Sequence, residues 1–191
     1  LIAAQGERED LLAASVNCNG RACFVFAIKD KNALKLVSSM DGKAESWSIP
    51  LEIPGFSEQM VSGNEQILGD YWTHAAIEVI SPDKEHTLRS SLSQKKLFVS
   101  GNQIRITLDY PGYNQLITLN PESKEFTYKK LLFNLDKDNN SERKQGNSFI
   151  IDEKLFRTTI SPEQLNLTII GLDSMKMIRS FNFFPEGEIS I

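Results

Sequence analysis

Apolar and polar residues alternate along much of the chain with a period of two. In the segment QIRITLDY, Ile104, Ile106 and Leu108 are separated by single polar residues. Successive side chains of a strand point to opposite faces, so this pattern predicts strands with one apolar face. The run CFVFAI, residues 23–28, is apolar at every position and predicts a strand that is covered on both faces.

Helical periodicity is weak throughout the sequence. The best helical candidate is GEREDLLAAS, residues 6–15, and it is short. Turn-forming pairs such as Asp41-Gly42 and Ser161-Pro162 separate the strand-like runs. The fold class predicted from these patterns is all-β.

The strand-like runs recur in four similar units. Four lysines stand just after a turn in each unit, at spacings of 41, 40 and 52 residues: Lys43, Lys84, Lys124 and Lys176. Units two and three align almost without gaps, with VSGNEQILGDYW over VSGNQIRITLDY. The units occupy residues 14–51, 59–92, 97–132 and 147–183, and the polar stretch 133–146 is an insertion. A repeat of about 40 residues with four strands per unit is typical of a propeller blade.

On these repeats the chain resembles a β-propeller with WD-repeat-like or quinoprotein-like blades. No specific subfamily matches, because the Gly-His and Trp-Asp pairs of WD repeats are absent and SMDGKAESW only approaches a sialidase box. The tail FPEGEISI, residues 184–191, reads as the innermost strand of a further blade, which predicts that the four blades belong to a larger ring. A closed four-bladed ring and a β-sandwich are the alternatives.

In propellers, the loops between the second and third strands of each blade share one face, and that face commonly binds ligands. Here those loops are residues 29–32, 69–74, 109–114 and 161–164. Two of them contain an Asp-Tyr pair, and aromatic side chains offer a large contact area at low entropy cost. The candidate ligand-binding residues are Asp70, Tyr71, Trp72, His74, Asp109, Tyr110 and Tyr113. The alternative is that these rings fill the gap between blades.

Other candidate chemistry is less specific. Two of the loop acids Asp30, Asp70 and Asp109 would form a glycosidase pair if they stood about 5–10 Å apart. Asp136, Asp138 and Asn140 resemble the start of a calcium loop, but Ser141 replaces its glycine, which favours a solvated loop. His74 and His86 lack zinc-site spacing. No metal and no cofactor is therefore predicted.

The two cysteines, Cys18 and Cys23, flank the turn Asn19-Gly20. A tight hairpin at this turn would let the two side chains face each other and form a disulfide in an oxidising compartment. The alternative is a pair of buried thiols.

Composition narrows the function only slightly. The chain has 191 residues and a net charge of -4, which gives no basic footprint for nucleic acid. No apolar run is long enough for a membrane helix. We expect a non-catalytic binding or scaffold propeller of a bacterial cell envelope, with a protein or carbohydrate ligand. A propeller-type glycan hydrolase and a purely structural domain are the alternatives.

Overall fold

The computed structural model describes residues 10–28, 31–51, 77–81, 93–110, 112–133, 145–184 and 189–190. Every regular element in these ranges is a β-strand. In chain order the strands are β1 (Asp10–Cys18), β2 (Arg21–Ile28), β3 (Ala33–Met40), β4 (Lys43–Pro50), β5 (Glu78–Ile80), β6 (Lys95–Ser100), β7 (Gln103–Tyr110), β8 (Tyr113–Asn120), β9 (Glu125–Leu132), β10 (Gln145–Ile151), β11 (Lys154–Ile160), β12 (Leu165–Gly171), β13 (Met177–Phe183) and β14 (Ile189–Ser190).

The described strands form three sheets in which neighbours in space are also neighbours in sequence. The first sheet has the order β1-β2-β3-β4, the second β5-β6-β7-β8-β9 and the third β10-β11-β12-β13-β14. Short turns join the strands of the first and third sheets into antiparallel meanders. Each sheet contains four longer strands in sequence order, and the short strands β5 and β14 are added at one edge of the second and third sheets. Successive four-stranded units of this kind build a propeller, so the predicted fold class is confirmed.

Two tight turns set the register of the β1–β2 and β3–β4 pairs in the first sheet. Asn19 and Gly20 adopt φ angles of 50° and 81°, and Asp41 and Gly42 adopt 50° and 77°. Two residues with positive φ match the right-handed twist of the flanking strands, which makes such turns the favoured hairpin connection. The first turn places Val25 opposite Ala14, and the second places Leu34 opposite Ile49. All four side chains are buried in the core.

The second sheet contains the most buried strand of the described chain. Between its two ends, β7 is buried on both faces, and the apolar set Ile104, Ile106 and Leu108 lies on one of them. The other face carries buried polar groups, including Thr107 and Asp109. The alternation of QIRITLDY is therefore real, but it separates an apolar core from a buried polar layer rather than from solvent.

The chain divides into two compact units. The first comprises residues 1–85, 97–106 and 117–128, and the second comprises 86–96, 107–116 and 129–191. In the first unit the rings of Trp47 and Phe126 lie 6.4 Å apart. In the second unit Leu116, Leu155, Ile170 and Leu172 form a buried apolar cluster. Each unit thus has its own apolar packing.

Two predictions at the chain ends are corrected. Within the helical candidate of residues 6–15, the part from Asp10 onward belongs to strand β1, because it pairs antiparallel with β2. The tail does not start another blade in the structure. Ile189 and Ser190 pair antiparallel with Phe183 and Asn182, so they extend the third sheet.

Most of unit two, residues 59–92, lies outside the described residues. Its described part is residues 77–81, in which β5 joins the second sheet beside β6. Three of the repeated lysines are described, and each stands at the end of a turn before a strand, as predicted: Lys43 opens β4, while Lys124 and Lys176 precede β9 and β13. All three are exposed. Lys84 lies outside the described residues.

Of the two alternatives for the cysteine pair, the structure contains the buried thiols. Cys18 and Cys23 are free and buried. The hairpin register sets Cys18 opposite Arg21 and Cys23 opposite Val16, so the two cysteines are diagonal rather than facing each other. Cys18 Sγ instead donates a hydrogen bond to the Gly101 carbonyl at 3.5 Å. Burial, with a smaller contribution from Cys18, raises the pKa of the Cys23 thiol to about 11.

Candidate functional site

The loop between β7 and β8 brings two predicted ligand-binding residues together. The rings of Tyr110 and Tyr113 stack with centroids 4.4 Å apart and an interplanar angle of 18°. Lys130 Nζ lies 4.2 Å from the centroid of the Tyr113 ring, which is a cation–π contact. The Tyr113 ring is therefore engaged by two neighbours within the molecule. Asp30, Asp70, Tyr71, Trp72 and His74 lie outside the described residues.

Asp109 lies in the interior rather than on a ligand-facing surface. Its side chain is 0% exposed and accepts a hydrogen bond from Arg157 Nη1 at 2.9 Å. Lys96 Nζ stands 3.8 Å from the same carboxylate and is also 0% exposed. The acid predicted to meet a ligand is thus the anion of a buried charge cluster, which comprises Lys96, Asp109 and Arg157.

Neutral groups form the remaining hydrogen bonds of this buried charge cluster. The Asp109 carboxylate accepts hydrogen bonds from the Asn114 amide at 2.9 Å and from the Ser148 backbone N–H at 2.8 Å. Lys96 Nζ donates to Asn147 Oδ1 at 2.7 Å and to the Ser93 carbonyl. Burial lowers the pKa of the Arg157 guanidinium, and Asp109 opposes that shift. A buried charge is tolerated only when it is paired and hydrogen-bonded, and each member of this cluster is.

Sequence reasoning missed Lys96 and Arg157. The signal was present in the alternation of LFRTTI, where Arg157 shares the period of Leu155 and Thr159 and must face inward with them. A cation on the apolar face of a strand requires a buried anion. Asp109 supplies it from a different part of the sequence.

The buried charge cluster also connects the loop between β7 and β8 to the residue that follows β9. Arg157 Nη2 donates to the Tyr110 carbonyl, and its guanidinium lies 4.4 Å from the centroid of the Phe133 ring. The Phe133 N–H donates to the Gly112 carbonyl at 3.0 Å. Phe133 is therefore fixed from two sides.

Phe133 forms part of the wall of a groove in the second unit. The groove has a volume of about 550 Å³, which is within the usual range for ligand sites. Its lining residues are Leu131, Leu132, Phe133, Thr159, Ser161, Gln164, Asn166, Thr168, Ile170, Met175, Met177, Ser180 and Asn182. Every one of these side chains is uncharged. We call this feature the neutral groove.

The floor of the neutral groove carries a row of hydrogen-bonded polar side chains. The register places Asn166 opposite Asn182 and Thr168 opposite Ser180, so these four side chains share one face of the sheet. The Asn166 amide donates to Ser180 Oγ at 3.1 Å and to Asn182 Oδ1 at 2.5 Å, and Asn166 Oδ1 accepts from Thr168 at 2.8 Å. The side chains of this row are therefore held in place by hydrogen bonds to one another.

In the part of the chain that the structure describes, no group of three or more His, Cys, Asp or Glu side chains could hold a metal ion. The calcium-like residues Asp136, Asp138 and Asn140 lie outside this part. Among the described residues there is also no helix that is long and apolar enough to cross a membrane.

No protein-family model matches the chain, and no curated protein matches it. Among solved structures, the chain is similar to the β-propeller domain of the trilobed protease from Pyrococcus furiosus, which has an open velcro topology. The sequence identity is 11% and the TM-score is 0.37. The match covers 95% of this chain and 45% of that chain, so this chain spans less than half of its length. A similarity of this size transfers no activity to this chain.

Proposed function

We propose that this chain is a non-catalytic binding domain of the propeller type, and that it binds an uncharged ligand in the neutral groove. The observation that carries the proposal is the lining, which combines amides and hydroxyls with apolar side chains. Such a lining offers a ligand both apolar contact and hydrogen-bonding groups that fix its orientation. A charged ligand would lose its hydration without gaining a partner of opposite charge.

The rival function, a propeller-type glycan hydrolase, requires two carboxyl groups that face the substrate. Asp109 is one of its predicted acids, and the carboxylate is fully engaged by Arg157, Asn114 and Ser148. This arrangement favours binding over hydrolysis. A location in the cell envelope remains part of the proposal, but it draws no support from Cys18 and Cys23, because both thiols are free.

The proposal is tested by titrating the protein with neutral peptides and neutral oligosaccharides while recording amide chemical shifts. We expect at least one of the two classes to perturb the signals of Asn166, Ser180 and Asn182. The variant Ser180→Asp introduces a charge into the groove and should abolish this response. Its matched control is Thr127→Asp, at an exposed position that does not line the groove. If neither class shifts the groove signals of the wild-type protein, the proposed function is wrong.

A further inference from the structure

The unused hydrogen-bonding groups of the polar row define what a ligand must supply. The amide nitrogen of Asn166 already donates to Ser180 and Asn182, and its oxygen already accepts from Thr168. Among the described residues, no acceptor is found for the Asn182 amide hydrogens or for the Ser180 hydroxyl hydrogen. Both groups are half-buried and line the neutral groove. The row therefore offers donors, and a matching ligand carries neutral acceptors such as carbonyl oxygens.

The wall of the neutral groove is apolar and well exposed. Leu132 at the end of β9 is 75% exposed, and Met177 at the start of β13 is 66% exposed. Met175 and Phe133 add further apolar surface to the lining. Methionine fits apolar partners of varied shape because its side chain is unbranched and polarizable. Side chains of this kind suit the apolar side chains of a peptide better than the hydroxyl-covered ring of a sugar.

The backbone beside the groove is also suited to a peptide. β9 is the last strand of the second sheet, so within the described chain its outer edge has no neighbouring strand. Its final residues, Leu131 and Leu132, line the groove. An edge strand presents main-chain N–H and C=O groups to which an extended segment can pair. A saccharide has no repeating amide with which to use this edge.

We propose that the neutral groove holds an extended, uncharged polypeptide segment with apolar side chains. Its carbonyl groups accept hydrogen bonds from Asn182 and Ser180, and its side chains pack against Leu132 and Met177. This inference rests on the proposed function, since it names the ligand class of the same groove.

The test uses the full chain and three defined probes: a blocked hexapeptide of alternating leucine and serine, the same peptide with aspartate for serine, and a neutral glucose hexasaccharide. We expect the neutral peptide to give saturable amide shifts at Asn182, Ser180 and Leu132. The aspartate peptide should bind more weakly because the groove has no cation to receive its carboxylates. The hexasaccharide should leave the groove signals unchanged.

Two variants locate the peptide. Asn182→Leu removes the free donors with little change in size, and Met177→Gln makes the exposed wall polar at equal length. Each should weaken binding of the neutral peptide about tenfold, which corresponds to the loss of one good hydrogen bond or apolar contact. The control is Met40→Gln, at a methionine that is 43% exposed and does not line the groove. Met177→Gln keeps the test valid if Asn182→Leu fails to fold.

The outcomes separate the two proposals. Binding of the hexasaccharide alone overturns the peptide inference and leaves the proposed function standing. Binding of no probe overturns both. Peptide binding that neither Asn182→Leu nor Met177→Gln weakens means that the peptide binds elsewhere, and the inference is then wrong.

Discussion

At the scale of single residues, the main feature is the buried charge cluster. Two cations, Lys96 and Arg157, meet one carboxylate, Asp109, and all three side chains are 0% exposed. Such a cluster is weak evidence for stability as a whole, because desolvation offsets the attraction between the charges. Removing one member should destabilise the fold, because the remaining charges stay buried without a partner of opposite charge.

Asp109→Asn should destabilise the fold strongly. The substitution keeps the size of the side chain but leaves two buried cations without their anion, and such losses cost about 3–5 kcal/mol. Urea unfolding at neutral pH measures the effect. The matched control is Glu45→Gln, which breaks the exposed ion pair with Lys124 at 3.0 Å and should leave the unfolding midpoint nearly unchanged. Equal shifts for the two variants would contradict the role given to the buried charge cluster.

Cys23 should make the protein less stable at alkaline pH. Its folded pKa is about 11, raised from an ordinary value of 9.0 because burial disfavours the thiolate. The unfolded chain therefore loses this proton first, so the contribution of Cys23 is full below pH 9.0 and declines as pH rises from 9.0 through about 11.

Thermal unfolding followed from pH 8 to 11 measures this decline. Lysines and tyrosines also titrate in this range, so the informative quantity is the difference between the wild type and Cys23→Ala. We expect the variant to lose less stability over the window than the wild type does. A parallel decline of the two proteins would show that the Cys23 thiol does not contribute. Arg21→Gln is a second check, because Arg21 lowers the pKa of Cys23. The stability of this variant should fall more steeply with pH than that of the wild type.

At the scale of elements, strand β10 has a glycine, Gly146, where the guanidinium of Arg157 passes close to its backbone. A methyl group added at Gly146 would lie 2.7 Å from the Tyr110 carbonyl oxygen and 2.9 Å from Arg157 Cζ. Real side chains do not approach this closely, so glycine at this position is required by the close approach of Arg157. The glycines in the turns of the first sheet are required by their own positive φ angles. Gly146 is instead required by Arg157, a residue of the neighbouring strand β11.

Gly146→Ala should therefore destabilise the protein by about 1–3 kcal/mol through overpacking. Its neighbour provides the control: Gln145 is exposed, and Gln145→Ala should have little effect. Chemical unfolding of both variants measures the difference. If Gly146→Ala and Gln145→Ala unfold at the same denaturant concentration, Arg157 does not occupy the position described.

At the scale of the whole molecule, the second and third sheets differ in how their faces are covered. β7 is buried on both faces, but β11 is buried only at alternate positions. The other face of the third sheet carries apolar side chains that remain accessible, among them Ile160 at 51% and its cross-strand neighbour Leu165 at 37%. An apolar surface of this kind binds apolar probes and promotes association.

Ile160→Lys should reduce the fluorescence of an apolar dye bound to the native protein. The control is Leu12→Lys, because Leu12 is similarly exposed at 49% but lies opposite Phe26, which is only 5% exposed. We expect the larger reduction for Ile160→Lys, since Leu165 continues the accessible surface beside it. Equal reductions would show that the third sheet presents no continuous apolar face.

The sequence by itself determined the strands, their turns and the blade-like meanders, because strand alternation and turn chemistry are local properties of a few neighbouring residues. It also placed Tyr110 and Tyr113 together, since only two residues separate them. Only the tertiary structure decided that Asp109 is a buried anion, that Cys18 and Cys23 remain free, and that β9 and β13 border one groove. These features depend on register and on pairs such as Asp109 and Arg157, which are distant in sequence and meet only after the sheets have packed.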